Sequence, residues 1–270
     1  MVIRAGVVGS PIAHSLSPAL HGRWLDRLGI DGTYEAVDPG ADGFEACIAR
    51  LRAEGWAGCN VTLPFKGKAL ALADEADDLA RRTGSANTLV FGPDGIKASH
   101  TDAPGFADAL HAAAKGRSFE TALVLGAGGT APAILAALLG AGISKLRLSN
   151  RTQSTAEALA DRFGAVVIPW KDRSRTADTD LLVNATALGL PGKPPLDIDL
   201  SALPPHAVVA DCVYMKGGTT PLVAEARSRG LTAFDGLPML VRQAIPGFAA
   251  WYGRTPDDPE AAEAYLRGLP

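Results

Sequence analysis

The chain has 270 residues, of which 47% are hydrophobic and 20% charged, with 30 glycines and 19 prolines; at roughly 100–200 residues per domain the length favours two globular domains. A net charge of −3 leaves no basic excess to neutralise a phosphate backbone, which argues against a nucleic-acid partner. Three cysteines, Cys47, Cys59 and Cys212, are too few and too scattered for a disulfide framework or a metal site, and they point to a reducing cytoplasm.

From the start, Met1 to Gly9 holds one positive charge and a short apolar run interrupted by Gly6, a pattern that does not make a secretory signal. Residues 3–8 predict a buried strand, followed by a Ser-Pro turn and a loop carrying His14. Ser17-Pro18 then opens a helix, with Ser17 as N-cap and Pro18 at the first helical position. Leu20, Trp24, Leu25 and Leu28 supply its apolar stripe, and Gly29 ends it. A strand over 34–37 comes next, then a helix over 44–54 with Phe44, Cys47, Ile48 and Leu51 on one face. A strand over 58–63 and a helix over 69–82, closed by Gly84, follow. Pro93-Asp94-Gly95 lies between strands over 87–91 and 95–99 and signals a hairpin.

After a helix over about 105–114 the pattern changes. Strands over 123–125, 145–149, 166–168, 181–184 and 208–212 alternate with helices over 131–139, 155–163 and 219–229. That rhythm predicts a parallel sheet with right-handed crossovers. Pro191 to Pro195, with Pro204-Pro205, marks a loop, and helices over 239–252 and 258–266 end the sequence. Residues 121–144 are uncharged and long enough to raise a membrane span, but Gly126, Gly128, Gly129, Pro132, Gly140 and Gly142 divide them into strand, turn and buried helix. The expected architecture is α/β throughout. A substrate domain over 1–102, rejoined by the helices of 239–270, adjoins a doubly wound nucleotide-binding domain over 103–238, with a cleft between them.

Gly126-Ala127-Gly128-Gly129-Thr130-Ala131 follows an apolar strand and opens a helix, which is G-x-G-x-x-A in the context that dinucleotide binding requires. The first glycine permits the tight turn, the second lets backbone approach a pyrophosphate, and Ala131 lets helix and strand pack closely. A glycine-rich turn without a ligand is the plainer alternative, and placement inside a βαβ unit favours the cofactor. The next strand ends in Asn150-Arg151-Thr152, without the acid that holds a ribose 2′-hydroxyl in NAD binders. Arg151 is free to pair with a 2′-phosphate instead, so the pattern favours NADP.

Four polar stretches sit where predicted strands end or helices begin: His14-Ser15-Leu16-Ser17-Pro18, Asn60-Val61-Thr62-Leu63-Pro64-Phe65-Lys66, Ser85-Ala86-Asn87-Thr88 and His100-Thr101-Asp102. Each has a structural explanation taken alone, as cap, turn or surface charge. Together, hydroxyls, amide, amine and carboxylate suit a small, polyhydroxylated, anionic substrate. From Gly9 to Gly253 these stretches, with Gly126 to Ala131, Asn150-Arg151-Thr152, Asn184-Ala185-Thr186, Asp235-Gly236 and Met239 to Gln243, resemble the shikimate dehydrogenase family in order and spacing.

The resemblance implies reversible, NADPH-dependent reduction of 3-dehydroshikimate to shikimate, on the route to chorismate and the aromatic amino acids, in a cytoplasmic monomer or homodimer. Lys66 and Asp102 would be the catalytic pair. Ser15 and Ser17 would hold the substrate carboxylate, and Thr62, Asn87, Asp102, Tyr214 and Gln243 the ring hydroxyls. Gly126, Ala127, Gly128, Gly129, Thr130, Asn150, Arg151 and Thr152 would bind NADP, with Asp78, Cys212 and Gly236 nearer its nicotinamide end. No metal is implied. The sequence departs from the family at Gly22 (usually asparagine), Ser85 (alanine), His100 (asparagine), Pro132 and Thr155 (arginine), and the segment after Tyr214 is one residue longer. His100 bears on substrate preference, and Thr155 weakens the NADP argument without reversing it. A quinate or amino-shikimate dehydrogenase, or a non-catalytic NADP-binding regulator on the same fold, are the alternatives.

Overall fold

The computed structural model describes residues 2–40, 43–190 and 192–269. Met1 of the N-terminal reading, Pro191 of the proline-rich loop and Pro270 of the C-terminal helices lie outside them. The chain divides into two units, Met1–Asp102 with Leu240–Leu266, and Ala103–Met239 with Arg267–Pro270.

In the first unit, strands β1 (Ile3–Val8), β2 (Gly32–Val37), β3 (Gly58–Val61), β4 (Glu75–Ala76), β5 (Thr88–Gly92) and β6 (Gly95–Ser99) form one sheet in the order β2-β1-β3-β5-β6-β4. β5 runs antiparallel to both neighbours, and every other pairing is parallel. The hairpin turns through Pro93-Asp94 as its sequence signals, with Gly92 opposite Gly95. Helix α1 (Ser17–Leu28) buries Leu20, Trp24 and Leu25, and α2 (Gly43–Ala53) buries the expected Phe44, Cys47, Ile48 and Leu51. Trp56, Cys59, Val61 and Leu89 complete the core on that side. β3 is apolar-packed on both faces, so its backbone lies close to its neighbours: a Cβ on Gly58 would strike the Leu89 carbonyl and the Trp251 indole. That indole donates to the same carbonyl at 3.0 Å and ties α9 (Leu237–Tyr252) to the sheet.

Two local readings need correction. The single helix expected over 69–82 is α3 (Lys66–Ala71), the short strand β4, and α4 (Asp78–Thr83). The acidic run between the helices breaks it: Asp74 accepts from the Ile96 amide at 2.7 Å, and Asp77 caps α4 through the Ala80 amide at 2.6 Å. Side chains that serve backbone donors elsewhere favour caps and turns over a helix interior. Ser17 is also not an N-cap. It is the first residue of α1 and Leu16 holds the cap position, while the Ser17 amide donates to Ser15 Oγ at 3.2 Å.

The second unit carries β7 (Thr121–Leu125), β8 (Lys145–Ser149), β9 (Val166–Val167), β10 (Leu181–Asn184), β11 (Val208–Asp211) and β12 (Thr232–Phe234) in a wholly parallel sheet of order β12-β11-β10-β7-β8-β9. Of these, β12 has no counterpart in the sequence reading. Helices α5 (Asp102–Ala114), α6 (Ala131–Gly140), α7 (Gln153–Phe163) and α8 (Pro221–Ser228) connect the strands. This is the doubly wound nucleotide-binding order, and its direction reverses between β7 and β10. No described helix is long and apolar enough to cross a membrane; residues 121–144 instead form β7, a glycine turn and α6. Helix α10 (Pro259–Arg267) ends the chain. Arg267 groups with the second unit and grips Asp235 there at 2.8 Å, whereas the return to the first domain was expected to run through 239–270.

Candidate active site

One edge of the first sheet gathers the polar motifs. β1, β3 and β6 are mutually parallel, so the loops after them leave from the same edge, and antiparallel β5 enters there. The segments concerned are Gly9 onward, Thr62 to Lys66, His100 to Asp102, and Asn87. Lys66 is the first residue of α3 and Asp102 the first of α5; both side chains are buried, and Lys66 Nζ donates to Asp102 Oδ2. Asn87 Nδ2 donates to Asp102 Oδ1 at 2.8 Å, to Thr101 Oγ1 at 3.0 Å and to Gln243 Oε1 at 3.1 Å. Its Oδ1 accepts from the Thr101 amide at 2.7 Å. Thus four predicted site residues, Lys66, Asn87, Asp102 and Gln243, form one bonded cluster, the last contributed by α9 from far along the chain.

Burial alone would raise the Asp102 carboxyl. The Lys66 ammonium, the charge influence of His100, and the hydrogen bonds from Lys66 and Asn87 outweigh it and hold the group below the usual carboxylate range. His100 stands beside this pair with 1% of its surface exposed and both ring nitrogens unpartnered. Burial depresses its pKa, and Lys66 adds to that against the opposing pull of Asp102 and Asp77.

Ser15 and Ser17 face each other across a bond of their own. Ser15 Oγ accepts the Ser17 amide, so its hydroxyl proton remains available to an anion. Thr62 lies against Gly9, where a Cβ would collide with its methyl group, and the Ser10 amide donates to the Leu63 carbonyl at 3.2 Å. The serine loop and the lysine loop are thereby knitted together.

In the second unit the fit to a dinucleotide rests on backbone space. Gly126, at φ +103°, follows β7 at the reversal point of the sheet, and a Cβ there would strike Ala185 and Thr186 after β10. Gly128 has open space around it and is exposed, as a surface meant for close approach requires. Thr130 occupies the cap position of α6. Asn150 Oδ1 accepts from the Ala127 amide at 3.2 Å and its Nδ2 donates to the Thr152 carbonyl at 2.9 Å, which fixes the loop presenting exposed Arg151. Cys212 and Gly236 are also brought together: a Cβ on Gly236 would strike the Cys212 carbonyl. Tyr214, two residues after Cys212, lies in the same unit. Asp78 belongs to the first unit, where it is fully exposed and paired with Arg81 at 3.0 Å.

Residues 7–89 match the model of the shikimate dehydrogenase substrate-binding domain, and residues 110–191 that of shikimate/quinate 5-dehydrogenase. A shikimate dehydrogenase (NADP(+)) from Acidiphilium cryptum is 52% identical over 253 residues, spanning 93% of this chain and 91% of its own. The chain belongs to the shikimate dehydrogenase family. Among solved structures it is similar to shikimate 5-dehydrogenase from Thermus thermophilus in complex with NADP(H) and shikimate, at TM-score 0.85 and 37% identity, covering 98% and 99% of the two chains. It is also similar to quinate dehydrogenase from Corynebacterium glutamicum in complex with NAD, at TM-score 0.91 and 29% identity over 98% and 99%.

Family membership does not by itself point to the buried polar residues behind the cluster. Asn60, Thr88 and Tyr34 are joined to Asn87 by hydrogen bonds, and the sequence reading assigned none of them a role. The available signal was an asparagine in the middle of an apolar strand, since a buried amide in such a place must have partners.

Proposed function

We propose that the chain interconverts 3-dehydroshikimate and shikimate with NADP as the redox partner, and that the Lys66–Asp102 pair handles the proton. The observation that carries this reading is that pair: buried, mutually bonded, and flanked by Asn87 and Gln243 at the sheet edge. When bound, the nicotinamide supplies or accepts the hydride. Loss of a hydride from the alcohol carbon turns its hydroxyl into a carbonyl, so the hydroxyl proton must pass to a positioned base. The Lys66–Asp102 unit takes it up and, in reduction, returns it to the developing alkoxide. Asn87, Gln243 and Thr62 orient the ring hydroxyls, and Ser15 and Ser17 hold the carboxylate. The turn from Gly126 to Thr130 receives the pyrophosphate, Asn150 and Thr152 brace the loop, and Arg151 takes the 2′-phosphate. Tyr214 adds a further contact to the ring, and Asp78, Cys212 and Gly236 serve the nicotinamide end. The free thiols of Cys47 and Cys59 suit a reducing cytoplasm. Assaying shikimate and quinate, each with NADP+ and NAD+, tests the reading; preference for quinate would replace the substrate, and no turnover at all would leave a nucleotide-binding protein without this chemistry.

Two variants probe the binding groups. Arg151 is exposed and makes no ion pair among the described residues, so Arg151→Ala should cost little stability. It should weaken NADP by roughly 10- to 100-fold, the worth of a charge-assisted bond, and leave NAD unchanged. Isothermal titration with both nucleotides checks this, and equal losses would reject the assignment. Ser15→Ala and Ser17→Ala should each raise the KM for shikimate about tenfold with kcat nearly unchanged. A fall in melting temperature with unaltered kinetics would instead make both serines purely structural.

A further inference from the structure

Asn87 is well placed to serve Asp102 in one orientation of its amide only. With Nδ2 towards the carboxylate it donates; turned over, it would set carbonyl oxygen against carboxylate oxygen. The groups behind it are arranged in a directed string. Tyr34 Oη donates to Asn60 Oδ1 at 2.6 Å. That commits the oxygen of Asn60 to the tyrosine and sends its amide protons to the main-chain carbonyl of Asn87 at 3.1 Å and to Thr88 Oγ1 at 3.0 Å. The Thr88 hydroxyl has one proton, and having accepted from Asn60 it sends that proton towards Asn87 Oδ1, directly at 3.3 Å or by way of Thr101 Oγ1 at 3.4 Å, which itself lies 3.2 Å from Asn87 Oδ1. The Thr101 amide supports the same orientation from the other side. All these side chains are buried and all belong to the first unit.

We infer that Tyr34, Asn60 and Thr88 are positioning residues that fix the donor sense of Asn87 and so keep a permanent N–H on Asp102. The inference rests on the reading that Lys66 and Asp102 are the proton-handling pair. The phenol is a dependable first donor, because burial, with Cys59 and Tyr252 nearby, holds its pKa well above the ordinary value. Hydrogen bonds in a dry chain of this kind reinforce one another, and the sense set at one end is felt at the other.

Thr88→Val removes the hydroxyl from the middle of the string at nearly constant volume, and Tyr34→Phe removes its first donor. The control is Tyr252→Phe, which deletes another short phenol bond, to the Thr33 carbonyl at 2.6 Å, and removes no hydrogen bond of the string. Side-chain amide exchange of Asn87, followed by 15N NMR in the nucleotide-free protein, should be about tenfold faster in Thr88→Val and measurably faster in Tyr34→Phe, and unmoved in the control. Turnover of shikimate should fall about tenfold in Thr88→Val with little change in KM. If Thr88→Val does not fold, Tyr34→Phe against Tyr252→Phe decides. Asn87 exchange that stays at the control's rate in every folded string variant overturns the inference, whatever happens to kcat. A wild-type protein inert towards shikimate would overturn the functional reading, while the exchange measurement would still decide the string.

Discussion

Replacing Lys66 by alanine should lower turnover of shikimate by about 10²–10⁴-fold, the range lost when a positioned acid–base group is removed. On the proposed reading KM should move much less, because Ser15, Ser17, Asn87 and Gln243 would still hold the ring and its carboxylate. The variant should also be less stable, because Asp102 remains buried with its cationic partner gone, a situation that costs about 3–5 kcal/mol. Lys68 is the internal control: it is exposed and pairs with Glu45 at 3.0 Å, an arrangement worth at most about 1 kcal/mol. Lys68→Ala should leave both turnover and melting temperature close to wild type. Comparable turnover in the two variants would remove Lys66 from the mechanism.

The Asp102→Ala variant should lose turnover on the same scale and, unlike Lys66→Ala, should also raise KM about tenfold, because on the proposed reading the carboxylate both handles the proton and contacts a ring hydroxyl. It has a pH signature as well. Despite its burial, the carboxyl is held below its ordinary value by Lys66, His100 and Asn87. Its ionisation therefore stabilises the fold above the unfolded value near pH 3.9, and that contribution disappears as pH falls through the folded value. The stability gap between wild type and Asp102→Ala should narrow below about pH 4. Urea unfolding at a series of pH values measures it, and a constant gap would show that Asp102 is not ionised in the fold.

The second unit was legible because its signals are local. Gly126 to Ala131 needs nothing beyond its flanking strand and helix to be read, and the alternation that follows gives a parallel sheet by connection rules alone. The pieces that escaped are those whose conformation is set from a distance. Glu75 and Ala76 become a strand because β6 lies beside them, with Glu75 opposite Lys97 and Ala76 opposite Ala98; their own sequence reads as the continuation of a helix. Lys66 and Asp102 are legible through motif resemblance, whereas the bonded cluster around them includes a residue as remote as Gln243. Asn60 stands in a polar stretch singled out in the sequence but without a role of its own, and Tyr34 carries no signal at all, because neither reveals in sequence what it bonds. His100 is legible in the sequence only as a departure from the family, and its burial beside the pair is set by the fold.

The division of labour along the chain has an evolutionary consequence. Lys66, Asn87, Asp102 and Gln243 all fall within Met1–Asp102 and Leu240–Leu266, while Gly126 to Thr130 and Asn150 to Thr152 fall within Ala103–Met239. No hydrogen bond given above for Lys66, Asn87, Asp102 and Gln243 involves the loop that carries Arg151. On the proposed reading, substitutions at Arg151 or Thr155 would exchange one dinucleotide for another without retuning the acid–base chemistry, and changes around His100 would shift substrate choice without altering how the nucleotide is held. A lineage built on this plan can explore redox partner and substrate as two independent coordinates, one substitution at a time.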